Sequence, residues 1–99
     1  NHKLSESSRS YSTRMARQAR LSHALTRHDD GLPDYTENIS LSTSVHAAHA
    51  NLMASPSHRR NIIDRDSKYC GIGVAAVDKG DSGTLLYITQ RFSRKDPGR

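Results

Sequence analysis

Apolar residues recur at helical spacing through the front of this chain and gather into strand-like runs toward its end. From Lys3 to Asp30 there is no Gly or Pro, and Leu4, Ser8, Tyr11, Met15 and Ala19 recur at steps of three or four. That spacing predicts a helix. Ser12 and Ala16 widen its stripe, and the helix is expected to fade between His23 and Arg27. Gly31 and Pro33 mark DDGLPDY (29–35) as a turn-rich loop. ENISL (37–41) reads as a short strand. STS (42–44) then offers N-caps for a helix over Val45–Ala54 that buries Val45, Ala48, Leu52 and Met53.

A second, shorter helix follows at once. Ser55 is placed to cap it through a hydroxyl that accepts from a following amide, and Pro56 suits its first position. Ile62 and Ile63 are expected to face inward. KYCGIGVAAVD and TLLYITQRFS are strand-like runs joined by KGDSG, which predicts a hairpin. The tail RKDPGR (94–99) is polar and breaker-rich and is expected to fray. There are no repeats and no domain boundary. The order of elements predicts one α+β domain over residues 4–93, a small antiparallel sheet with helices packed on it.

Composition sharpens this picture only a little. With 99 residues, 33% hydrophobic and no Trp, the chain can build only a limited core. Its net charge of +5 favours contact with anionic surfaces. Arg14, Arg17 and Arg20 lie at steps of three, off the apolar stripe. They make either an anion-binding ridge or, more plainly, a solvated basic face. Charge alone predicts no specific nucleic-acid partner. Cys70 is the sole cysteine, so no internal disulfide exists, and its strand-like surroundings predict burial. No apolar run approaches transmembrane length, and the polar start shows no signal peptide.

Six histidines dominate the candidate chemistry. His46 and His49 share a helix face but have no close third ligand. His23 and His28 are five apart near a helix end. His58 falls in the first turn of the short helix, with ring nitrogens able to bind a metal, take a proton or accept a hydrogen bond. HExxH, CxxC, GxSxG and Walker-type loops are absent.

An ordered set is more telling than any compact motif. LSH (21–23), TEN (36–38), LMASPSHRRNII (52–63), YCGIGVAAV and YITQRF follow one another through residues 4–93. This order resembles the CAP superfamily, or SCP domain, and its bacterial branch most of all. The departures are Thr36 where the family usually has Gly, Leu52 at an aromatic position and Ser57 at another usual Gly. The family's first helix has no counterpart, so the chain resembles an N-terminally truncated member.

The resemblance implies an α-β-α sandwich with a cleft lined by His23, Glu37 and His58, and with Asn38 bracing the strand. It implies zinc or another divalent cation held by His23 and His58. The family's second glutamate has no match, and Ser55 falls near its place. The lost helix would uncover one sheet face, which a second copy of the chain can cover. The function implied is an extracellular or cell-envelope module that binds a cation, a lipid or a cell-wall component without catalysis. Two alternatives stand beside it: a metal-assisted hydrolase with Glu37 as base, and a polyanion-binding module using the arginine ridge.

Overall fold

The computed structural model describes residues 1–24 and 32–98. Its elements are helix α1 (His2–Gln18), strand β1 (Tyr35–Ser42), helices α2 (Val45–Ala54) and α3 (Pro56–Ile63), and strands β2 (Tyr69–Asp78) and β3 (Thr84–Ser93). The sheet is antiparallel with order β1-β3-β2, so the last strand is the central one. Helix α1 lies on β2 and β3, while α2 and α3 pack on β1. Because successive strand side chains point to opposite faces, α1 covers the face carrying Gly71, Gly73, Thr89 and Arg91. Helix α3 meets Asn38 on the other face. The α-β-α layering expected from the sequence is present.

Helix α1 binds the sheet through small residues. A Cβ on Gly71 would sit 2.2 Å from the Leu4 carbonyl carbon, and one on Gly73 would sit 2.1 Å from the Arg9 amide nitrogen. The backbones therefore approach as only glycine permits. Buried Ser8 donates to the Gly71 carbonyl at 3.3 Å. Ser12 donates to the Gly73 carbonyl at 3.1 Å and lies 2.7 Å from the Thr89 hydroxyl. Leu4 and Met15 are buried at either end of this serine pair. Met15 joins Ile39 and Tyr87 in the core cluster.

The helix starts at Asn1, whose side chain accepts from the Leu4 amide. It ends at Gln18, earlier than periodicity predicts, because Ala19 adopts the left-handed conformation (φ 49°) and its amide bonds back to the Ala16 carbonyl. His23 thus follows the helix by a short stretch without regular structure.

Several side chains also depart from expectation. Strand β1 starts two residues before ENISL. Ala48 and Leu52 are buried, but Val45 is exposed at the first position of α2. Ile63 is exposed at the last position of α3, and Ile62 is half-buried. Ser55 makes no capping bond, because its hydroxyl bonds the His58 ring.

Cys70 is exposed as well. It shares the face opposite α1 with Ile72 and Val74, and α2 and α3 lie over β1 at the far side of the sheet. The segment expected to fray is tied down over the residues described: Pro97 is buried and the Gly98 carbonyl accepts from the Asn1 side chain at 2.9 Å.

Two outcomes follow. Gly73→Ala pushes α1 off the sheet and destabilises the domain by about 1–3 kcal/mol, the usual cost of overpacking, read as a lower urea midpoint. The Cys70 thiol is pushed above its ordinary range by partial burial. It therefore reacts fully with a thiol reagent in the native protein, but more slowly at neutral pH than a free cysteine peptide.

Candidate functional site

The densest polar cluster forms where β1 and β3 pair. Glu37 and Arg91 are direct cross-strand partners on the α1 face. Both side chains are almost fully buried, at 2% and 3% exposure. Arg91 donates from Nε to Glu37 Oε2 at 3.0 Å, and its Nη2 reaches the same oxygen at 3.0 Å. Oε1 accepts from the Ala24 amide at 3.1 Å and lies 3.0 Å from His23 Nδ1. Three fixed donors and the His23 ring nitrogen therefore converge on one carboxylate, which has about four acceptor positions.

Aromatic rings complete the setting. The Arg91 guanidinium carbon lies 4.6 Å from the Tyr35 ring centroid and 5.2 Å from that of Tyr11. Such contacts favour a cation withdrawn from water. The Tyr11 hydroxyl donates to the Ser22 carbonyl, one residue before His23. Helix α1 thus supplies both the ring beneath the arginine and the anchor that guides the chain to His23. The His23 side chain keeps 54% of its surface exposed.

His58 and Asn38 belong to the opposite face. Asn38 is fully buried. Its amide donates to the His58 backbone carbonyl at 3.0 Å and to the Gln90 side chain at 3.1 Å, and its oxygen accepts from Asn61 at 2.8 Å. Asn38 ties α3 to the sheet. The His58 ring itself bonds Ser55 Oγ at 2.9 Å.

The four predicted residues therefore gather around one strand as two groups, His23 with Glu37 and His58 with Asn38. Among the described residues no hydrogen bond joins the groups, and no set of three or more His, Cys, Asp or Glu side chains is placed to hold a metal ion. The donor set does not match the four ligands of a tight zinc site. His28 lies outside the described residues. His46, His49, Arg14, Arg17 and Arg20 are exposed.

Arg91 escaped the sequence reading. The signal was a charged residue inside TLLYITQRFS, but its meaning depends on register, which pairs it with Glu37. A separate open groove of about 510 Å³ lies alongside, with Leu32, Pro33, Tyr35 and Phe92 in its lining and Arg94 and Lys95 among its polar residues.

Comparison with known proteins settles the family. The family model described as CAP, the cysteine-rich secretory protein family, matches residues 1–92. The chain belongs to the CAP family. Among solved structures, an outer surface protein from Borrelia burgdorferi is similar at a TM-score of 0.70 and 16% identity, over 96% of this chain and 76% of that one. At that identity the likeness speaks for the fold. No curated protein matches the chain. This CAP domain carries only one cysteine, so no internal disulfide supports it.

The buried pair carries a stability consequence for this CAP domain. Arg91→Met strands the Glu37 carboxylate and costs about 3–5 kcal/mol, whereas Glu37→Gln with Arg91→Met removes both charges and recovers much of that loss. Urea unfolding of the single and double variants checks this.

Proposed function

We propose that this CAP-family chain is an extracellular or cell-surface module that binds a ligand at the β1 edge and performs no catalysis. The observation that carries the reading is His23: a half-exposed imidazole held from beneath by a buried carboxylate. An exposed ring anchored through one nitrogen offers the other to a partner. A divalent cation such as zinc is the simplest partner, bound weakly because few donors accompany the ring. The groove beside Tyr35, with apolar lining and the basic side chains of Arg94 and Lys95, suits a lipid or a cell-wall component. The family's secretory description and the outer-surface name of the Borrelia neighbour support the location.

The hydrolase alternative finds less support. A general base needs a free lone pair facing water, and the four partner atoms around Glu37 occupy its oxygens. The polyanion alternative rests on exposed arginines alone.

Zinc titration by calorimetry tests the cation site. Wild type is expected to show weak binding that His23→Ala with His58→Ala abolishes. An unchanged affinity in that double variant removes the cation from the proposal.

A further inference from the structure

We infer that Glu37 acts on ligands only through His23: with Arg91 it sets which ring nitrogen carries the proton, and so presents Nε2 as the open atom of the site. The inference deepens the reading of His23 as the binding residue and rests on it for its functional meaning.

Arg91 has only donors and no acceptor. Its Nε and Nη2 both face Glu37 Oε2, so that oxygen is committed as an acceptor. The other oxygen takes the Ala24 amide, which also can only donate. A carboxylate so placed has no proton to give. The 3.0 Å contact between Glu37 Oε1 and His23 Nδ1 therefore runs from ring to carboxylate, with Nδ1 protonated. In a neutral imidazole the second nitrogen is then an acceptor.

A carboxylate whose oxygens are filled is thus a positioning group and neither a metal ligand nor a base. Burial strengthens the arrangement, because Glu37 and Arg91 are 2% and 3% exposed and water competes little for either. The tyrosine rings at 4.6 and 5.2 Å hold the guanidinium in place.

One substitution separates this from a merely structural role. In Glu37→Gln, the side chain has one carbonyl and one amide. Arg91 brings two donors and the Ala24 amide one, so the carbonyl goes to Arg91 and the Ala24 amide loses its acceptor. The Gln NH2 then turns toward His23 and donates to Nδ1, which moves the ring proton to Nε2. Adding Arg91→Met removes that claim and frees the carbonyl to face His23 again.

The ring nitrogens of 15N-labelled protein report the tautomer directly by NMR, without added ligand. The expected result is an Nδ1–H ring at His23 in wild type, an Nε2–H ring in Glu37→Gln, and return of Nδ1–H in the Glu37→Gln, Arg91→Met double variant. Zinc is the probe for the functional half, and binding at His23 is expected to fall at least tenfold in Glu37→Gln and to recover in the double variant. An Nε2–H ring in wild type overturns the inference, and this measurement needs no variant to fold. A tautomer that stays Nδ1–H in a folded Glu37→Gln also overturns it. Zinc that ignores His23 removes the cation reading alone, while the wild-type tautomer still decides the proton's position.

Discussion

The close seating of α1 on β2 is the constraint from which the rest of the molecule follows. Two glycines let a helix backbone approach a strand backbone, and two serines convert that proximity into hydrogen bonds with strand carbonyls. Seating the helix there fixes what it carries. Tyr11 arrives over Arg91, Met15 enters the core beside Tyr87, and the chain leaving Gln18 is directed toward β1. The polar cluster at β1 is therefore a product of helix docking as much as of strand pairing.

This solution suits a chain with few large apolar residues. Where a bigger domain would bury leucines between helix and sheet, this one buries Ser8, Ser12 and Thr89 with their hydroxyls satisfied. Neutral polar groups can occupy a core when each finds a partner, and the cost of desolvation is then largely recovered. The same economy appears on the other face, where Asn38, Gln90 and Asn61 form a connected amide network that holds α3 to the sheet. Near β1 the interior is ordered by hydrogen-bond direction more than by volume.

Much of this was legible in the sequence, and the failures have physical causes. The stripe from Leu4 to Met15 showed the buried face of α1, and the Gly-rich loop between two β-branched runs showed the hairpin. The end of α1 was not legible, since nothing about Ala19 as a residue type signals a left-handed turn. Val45, Ile63 and Cys70 were read as inward because apolar residues usually are. Their exposure depends on which sheet face other elements reach, which local spacing does not encode. At the site, His23, Glu37, His58 and Asn38 were named from the order of motifs. Their division between two faces follows from adjacency in one strand: neighbours 37 and 38 cannot point the same way. Arg91 was invisible without register, because its meaning lies in what stands opposite.

The placement of β3 has a consequence for how the domain forms on the ribosome. Strands β1 and β2 bond to β3 and share no ladder with each other, so a nascent chain that stops short of residue 84 has no sheet to assemble. Until that third strand leaves the exit tunnel, the acid at 37 has no cation opposite it and the helix has only a lone ribbon to rest on. The sheet of this domain is therefore expected to assemble only once its third strand has emerged. During that interval the exposed ribbon edges are the parts of the polypeptide most in need of a chaperone.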